Sequence, residues 1–438
     1  MSQIYETNIA HLIFNQDNDS DDDLYSDSAI KSLLDTPVHD VDSANDFFSS
    51  LNKPNTSSFS ILNLNIRSLG KNITKLQFLI HKLKWEFNVI CLQETWSKYE
   101  TNDLMTIDLP GYNLVTLPRG HSRRGGGLGL YIKNDLLFKL RKDLTCSDED
   151  VEILTIELLR QNEKNMLLSN IYRPPKGTIV YYQERIAKHL HEVNREGKSI
   201  YIAGDFNLNL LDYETEVKVR DFVNLMCEYL LLPSINKPTR IALNKSSCID
   251  NIFVPYSHQQ ELYAGVITEK ISDHLPQFLI VLSFPLLKTN ERFCIKKRTI
   301  TPEKISVMKD RLTHISWTSV TSNVDVSDAY AAFVNEFSDL YDELFPSKEI
   351  IVKTKTIINK WMNKELIKMS RKKQKLYNKF LKCRTYMSEA KYKQCKRQFE
   401  RRMQITKKNY YSKLLIKHQY NLRKTWNILK DVIDHTNA

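Results

Sequence analysis

Residues 199–207 read Ser-Ile-Tyr-Ile-Ala-Gly-Asp-Phe-Asn. The apolar run Ile200–Ala203 is short, β-branched and aromatic, and it stops at Gly204. That composition predicts a buried strand over Ser199–Ala203. Beyond the stop the chain turns polar, with Asp205 and then Asn207. The strand therefore delivers a carboxylate and an amide at its carboxyl end. The same device recurs along the chain. Ile61–Leu64 leads to Asn65, Val89–Gln93 to Glu94, Leu167–Ile171 to Tyr172, and Ile271-Ser272 to Asp273 and His274. Strands that share one sheet edge would bring these ends into one pocket.

One carboxylate at a strand end is an ordinary solvated turn residue. Five ends carrying Asn, Glu, Tyr, Asp/Asn and Asp/His form a different kind of pattern. They supply what metal-assisted phosphodiester hydrolysis requires. One carboxylate holds a hard divalent ion. Another takes a proton from water. Neutral or cationic donors stabilise the charge that builds on the phosphoryl oxygens.

Around these ends the pattern is mixed α/β. Strands are predicted at Ser60–Asn65, Val89–Gln93, Leu128–Ile132, Ile153–Leu158, Met166–Tyr172, Ser199–Ala203, Ile249–Val254 and Phe278–Leu282. Helices are predicted at Asn72–Trp85, Tyr181–Arg195 and Glu216–Leu231. Many strands with few helices point to two packed sheets covered by helices.

Charge divides the 438 residues into three zones. Residues 1–58 hold 11 acids and 2 bases, 59–285 are nearly neutral, and 286–438 hold 34 bases and 15 acids. The first zone is expected to be an acidic, disordered segment. The last reads as a basic helical extension, with Leu376, Phe380, Cys383 and Met387 at helical spacing, then Phe399, Met403, Tyr410 and Leu414. Within it, 351–430 has 25 bases and 3 acids, interleaved with Tyr377, Tyr386, Tyr392, Tyr410, Tyr411 and Tyr420. Such a run repels itself unless a polyanion neutralises it, so nucleic acid, including an element's RNA, is the expected partner.

The longest apolar stretch, Leu275–Leu287, contains Gln277 and Pro285 and is too short to cross a bilayer, so no membrane partner is expected. The N-terminus has neither a basic n-region nor a long apolar h-region, and a secretory signal is not expected. The seven cysteines show no C-x-x-C, which argues against a disulfide framework or zinc ribbon and for a reducing compartment. Five of the 11 glycines fall between Gly120 and Gly129 with no G-K-[ST] after them. They read as a hairpin turn that sets Arg123 and Arg124 on a tip able to touch DNA phosphates, rather than as a phosphate loop. Cys91 reads as a core thiol. Cys248 has no histidine base nearby in sequence and does not read as a nucleophile.

The blocks LNLNIRSL, ICLQETW, RGGGLGLYI, NIYRPP, IAGDFNL, CIDNIFV and ISDHLP occur in this order over 59–285. This series resembles the endonuclease/exonuclease/phosphatase superfamily, and within it the apurinic-type endonuclease domain of non-LTR (LINE-like) retrotransposons. The resemblance implies a four-layer α/β sandwich with the site at one end of its two sheets. It implies that Glu94 binds the catalytic metal, Mg²⁺ or Mn²⁺, with Asn65 assisting. By the same resemblance Asp205 orients or deprotonates water, Asn207 holds the scissile phosphate, and His274 donates to a phosphate oxygen with Asp250 behind it. Asp273 would lie by the metal or leaving oxygen, Tyr172 would contact phosphate, and Thr239 would lie near the phosphate.

The activity so implied is nicking of double-stranded DNA to leave a 3′-OH primer. In related elements the basic helices lead to a reverse transcriptase. Here no Y/F-x-D-D signature occurs and the sequence ends at Ala438. A fragment or truncated copy is therefore expected, without polymerase chemistry. Action in the nucleus follows from the substrate, with Arg371-Lys372-Lys373-Gln374-Lys375 as a candidate import signal. Two alternatives remain open at this stage: a same-fold phosphodiesterase acting on a non-nucleic-acid phosphoester, and a catalytically silent element that only binds nucleic acid.

Overall fold

The structure is a computed structural model. It describes residues 39–41, 58–97, 107, 109–118, 125–282, 284–288, 293–298, 300–352, 361–426 and 428–429. The acidic segment 1–58 lies outside the described residues except for 39–41 and 58. In chain order the elements begin with β1 (His39–Val41), β2 (Phe59–Asn65), α1 (Leu69–Leu83), β3 (Val89–Gln93), β4 (Tyr112–Leu117) and β5 (Leu128–Lys133). There follow β6 (Phe138–Leu140), β7 (Cys146–Ser147), β8 (Glu152–Leu158), β9 (Met166–Tyr172), α2 (Ile179–Asn194), β10 (Ile200–Asp205) and α3 (Val217–Glu228). Next come β11 (Leu231–Pro233), β12 (Arg240–Ile241), β13 (Ser246–Ser247), β14 (Asp250–Pro255), β15 (Leu262–Ile267) and β16 (Gln277–Val281). The remainder are β17 (Phe293–Arg298), α4 (Pro302–His314), α5 (Thr318–Thr321), α6 (Val326–Leu344), β18 (Ser347–Val352), α7 (Lys364–Cys383) and α8 (Tyr386–Lys417).

Two seven-stranded mixed sheets form the body. One runs β1-β15-β16-β2-β3-β5-β4, the other β11-β14-β10-β9-β8-β6, with β7 also paired to β8. The parallel pairs β2–β3 and β9–β10 are joined through α1 and α2, the crossovers that parallel pairing requires. Alternation within each strand sorts the core. Phe59, Ile61, Val89, Cys91, Leu128 and Leu130 of the first sheet join the cluster shared with the second sheet. Their neighbours Leu62, Leu64, Ile90, Leu92 and Tyr131 join the cluster with α1. Both faces are therefore buried, which is why these strands read as unbroken apolar runs.

The helices follow from spacing. Leu69, Ile73, Leu76, Ile80 and Leu83 make one stripe of α1. Val219, Phe222, Val223, Met226 and Cys227 make one of α3. Residues of α2 and α3 pack with the second sheet, and the layers run helix, sheet, sheet, helices. This is the expected α/β sandwich.

The chain forms two compact units, residues 1–288 with 357–438, and residues 289–356. The composition border at 286 separates them only in part. Residues 289–356 hold 10 bases and 10 acids, whereas 357–438 hold 23 bases and 5 acids. The neutral unit includes the antiparallel β17–β18 pair and, between those strands, α4–α6. The basic helices α7 and α8 belong with the sandwich. Phe78, on a second face of α1, meets Trp361, Leu366, Phe399 and Met403 in one cluster, and Tyr377, Phe380 and Tyr392 join the main core. The expected helical spacing through Met387 is broken. Arg384 takes a left-handed φ of 44° and Thr385 caps a new helix, leaving Met387 64% exposed.

Candidate active site

The five strand ends meet. Asp205, last in β10, pairs in register with Tyr172 at the end of β9 and with Asp250 at the start of antiparallel β14. Asn65 ends β2 beside Gln93, so Glu94 follows at the same edge of the other sheet. Asn65 spans the two sheets. Its Nδ2 donates to Glu94 Oε1 at 2.8 Å and to Asp205 Oδ2 at 2.7 Å. The Tyr172 hydroxyl also donates to Glu94 Oε1, at 3.3 Å. His274 Nδ1 lies 2.9 Å from both oxygens of Asp250 and 3.9 Å from Asp205 Oδ2. A carboxylate can only accept, so Nδ1 carries the proton and Nε2 is left for chemistry.

Electrostatics follow from burial. Asp205 is 1% exposed, and burial, together with the nearby Asp250 charge, pushes its pKa up to about 7. Burial alone would lower His274, but Asp250, Asp205 and Asp273 outweigh it and hold the imidazole at about 9. Asp273 is also penalised by burial, yet His274, Arg67 and Arg240 keep its pKa below the ordinary value. A carboxylate poised near neutrality beside an imidazolium is a general acid–base arrangement.

A divalent ion fits the donor set. Asp205, Asp250 and His274 offer ligand atoms within 4.8 Å of one another. His274 Nδ1 is already committed to Asp250, however, and both side chains are almost fully buried. The better cradle is the one around Asn65 Nδ2, where oxygens of Glu94 and Asp205 converge on a positive donor. Rotating that amide would present Oδ1 to a hard cation, at the cost of the bond that Oδ1 accepts from the Arg67 amide at 3.2 Å.

Thr239 lies behind Asp250. It is fully buried, and its hydroxyl donates to Asp250 Oδ2 at 2.6 Å while accepting from the Ile249 and Asp250 amides. These bonds hold the Asp250 carboxylate against His274. Asn207 has φ 47° and donates from Nδ2 to the Arg173 carbonyl at 2.7 Å. Arg123 and Arg124 lie outside the described residues.

Several site residues carry no distinct signal in the sequence. Arg67 and Arg240 both reach Asp273 Oδ2, at 2.8 and 2.9 Å, and each is 45% exposed. They form a cationic rim beside His274. Trp96 Nε1 donates to Glu94 Oε2 at 3.2 Å. Ser272 Oγ donates to the Asn65 carbonyl at 2.6 Å, tying the His274 loop to β2. Arg67 stands in the LNLNIRSL block and Arg240 in the PTR block, so basic residues inside those blocks are the available signal. Beneath the site lies a buried amide layer. Gln93 donates to Asn63 Oδ1 and Asn170 Oδ1 at 2.8 and 2.6 Å, and Asn63 donates to Gln277 Oε1 at 2.8 Å. Of the nine non-glycine residues with positive φ among those described, Arg67, Ser68, Glu94, Trp96 and Asn207 border this site. Each holds about 1 kcal/mol or more of strain that the surrounding bonds must offset.

The model for the Endonuclease/Exonuclease/phosphatase family matches residues 19–274. The chain belongs to that family. Among solved structures, the endonuclease domain of TRAS1, a telomere-specific non-LTR retrotransposon, is 16% identical, with a TM-score of 0.41 over 51% of this chain and 98% of that one. The AP endonuclease LMAP from Leishmania major is 17% identical, with a TM-score of 0.45 over 58% and 98%. A mannosyl-6-phosphatase from Bacteroides thetaiotaomicron is 16% identical, with a TM-score of 0.38 over 51% and 100%. No curated protein matches the chain. Membership in the endonuclease/exonuclease/phosphatase family supports a phosphoester-hydrolysing enzyme.

Proposed function

We propose that the protein is a Mg²⁺- or Mn²⁺-dependent DNA endonuclease of a non-LTR retrotransposon. The observation that carries the reading is the chain of contacts Glu94–Asn65–Asp205–His274–Asp250 across the ends of two sheets. Glu94, Asn65 and Asp205 would hold the cation, which supplies Lewis-acid polarisation of a phosphoryl oxygen. Asp205 takes a proton from the attacking water, and Asn207 holds the water or the scissile phosphate. The new bond joins that water oxygen to phosphorus while the P–O3′ bond breaks. O3′ takes up a proton from solvent, leaving a 3′-OH and a 5′-phosphate. His274, its Nδ1 proton fixed by Asp250 and Thr239, gives its Nε2 hydrogen bond to the phosphoryl oxygen on which charge grows. Tyr172 and the Arg67–Arg240 pair add donors to the same phosphate.

DNA is favoured over a small phosphoester by the basic surface. A groove of about 580 Å³ runs past Asn207 and Arg240, lined by Lys218 and Lys245 but also by Asp212 and Glu216, so the excess of bases lies on the C-terminal helices. Helices α7 and α8, with the turn between them, hold 19 bases against 3 acids over 364–417. They offer a phosphate-binding face for duplex DNA or for the element's RNA. The 3′-OH is the primer that target-primed reverse transcription uses, and such a reaction takes place in the nucleus.

A supercoiled-plasmid assay tests the proposal. Nicking is expected with Mg²⁺ and not with EDTA, and its 3′ ends should be extended by a DNA polymerase. Asp205→Ala and His274→Ala are each expected to lose about 100-fold or more. Equal nicking by both variants would reject the site. Hydrolysis of sugar phosphates or phospholipid headgroups in preference to DNA would reject the substrate.

A further inference from the structure

Residues 268–276 join β15 to β16 and carry Asp273 and His274. The first three residues of this loop are all engaged by α7. Thr268 Oγ1 accepts from Gln374 Nε2 at 2.7 Å. Glu269 Oε1 accepts from Lys373 Nζ at 2.7 Å, and Lys82 of α1 takes the other carboxylate oxygen. The Lys270 ammonium lies 5.8 Å from the Tyr377 ring centroid. Glu269 and Lys373 are 5% and 6% exposed. Charges removed from water to this degree depend on their partners: losing Glu269 would leave Lys373 buried and uncompensated, and losing Lys373 would leave Glu269 with Lys82 as its one cation among the described residues.

A second anchor reaches the loop from its other side. Arg384, in the turn between α7 and α8, donates to Ser246 Oγ of β13 at 2.9 Å. The paired strand β12 bridges Arg240 to His274, and the Leu275 amide donates to the Thr239 carbonyl at 2.7 Å. The helical hairpin thus touches both supports of the segment that presents His274. A loop without such supports opens at little free-energy cost, and a displacement of about 1 Å at a reacting group costs on the order of 100-fold in rate.

We infer that the α7–α8 hairpin is part of the active-site scaffold, and that Glu269 and Lys373 are positioning residues that hold the Asp273–His274 loop. The inference rests on the proposed hydrolase. It assigns the hairpin a role at the site beyond offering charge to nucleic acid, and Lys373 works inward, not toward DNA.

The test uses the full chain. Lys373→Met is expected to speed amide exchange over 271–275 by about tenfold or more. It should also weaken the downfield Nδ1 proton resonance of His274. With DNA, kcat should fall by about 10- to 100-fold while KM changes by less than about twofold. Lys373→Arg should restore all three. Unchanged exchange together with an unchanged resonance overturns the inference. So does a raised KM with kcat intact, which would make Lys373 a DNA contact. Exchange and resonance need no turnover, so a wild-type protein that never nicks DNA defeats the proposed function and still decides this one. Should Lys373→Met also release β3 in the exchange experiment, Gln374→Ala, which removes the bond to Thr268 and one to Asn378 within α7 but leaves the buried ion pair, carries the same comparison.

Discussion

Asp205 illustrates how one residue's chemistry depends on its neighbours' shape. It follows Gly204, whose missing side chain lets β9 pass close by. A Cβ at Gly204 would lie 2.1 Å from the Ile171 carbonyl oxygen, a backbone atom that cannot turn aside. Gly204→Ala is therefore expected to destabilise the protein by about 3 kcal/mol or more, at the upper end for overpacking. Denaturant titration checks this, and a loss under about 1 kcal/mol would show that β9 and β10 separate easily. Gly127 plays a related part. At φ 86° it lies under the Glu94–Trp96 turn, where a Cβ would come within 2.8 Å of Thr95 Oγ1, and its amide donates to Glu152 at 2.7 Å. The glycine-rich stretch reads as a hairpin turn, and β4 does pair with β5 around it. Its second task, supporting the Glu94 turn, depends on residues about thirty positions away and leaves no local signature. The buried amides of Asn63, Gln93, Asn170 and Gln277 are likewise invisible as a set. Each looks like a blemish in an apolar run until two sheets bring them together.

At the scale of elements, α7 and α8 show what helical spacing leaves out. The stretch 376–387 reads as one periodic stripe, but the left-handed Arg384 and the Thr385 cap divide it. The tyrosines separate by burial. Tyr377 and Tyr392 are 1% and 5% exposed and pack in the core, which removes them from any stacking role, while Tyr386 and Tyr420 stay open. Lys373 is withdrawn from the basic run of 371–375 by its ion pair with Glu269. That pair makes the attachment of α7 pH-dependent. Burial would raise Glu269, but Lys373 and Lys82 outweigh it and hold its pKa at about 2 against an ordinary 4.5. A depressed acid contributes its stability above the ordinary value and loses it as pH falls toward the folded value. The hairpin should thus stay docked above about pH 4.5 and loosen between there and pH 2. Fluorescence of Trp361, 3% exposed in the cluster that joins α1 to α7 and α8, reports it. Glu269→Gln should remove that acid-dependent step, and an unaltered transition in this variant would assign it to other carboxylates.

At the scale of the molecule, charge and core are distributed differently. The neutral unit of 289–356 separates two stretches of chain that share one body. The basic stretch lies at the far end of the sequence yet supplies part of the same core. Its outward bases are expected to set affinity for nucleic acid by releasing counterions. Lys368, Lys372, Lys375 and Lys379 lie at helical spacing on one exposed stripe of α7. Replacing all four with Gln should weaken DNA binding and flatten its log–log salt dependence by up to about 0.9 for each phosphate no longer neutralised. Retention of the full slope would place the DNA elsewhere.

Strands, amphipathic helices, the ordered blocks that indicate the family, and the identity of the residues at the strand ends can all be read from the amino acids in order. These are local properties, since burial period and turn chemistry are written within a few residues of one another. It took the assembled fold to establish that Thr239 supports Asp250 from behind, that Arg67 and Arg240 share Asp273, and that a distant helix grips the loop of His274. Those outcomes depend on which side chains reach across between sheets and helices. Such distances are set by the packing of the whole body, and no short window of sequence contains them.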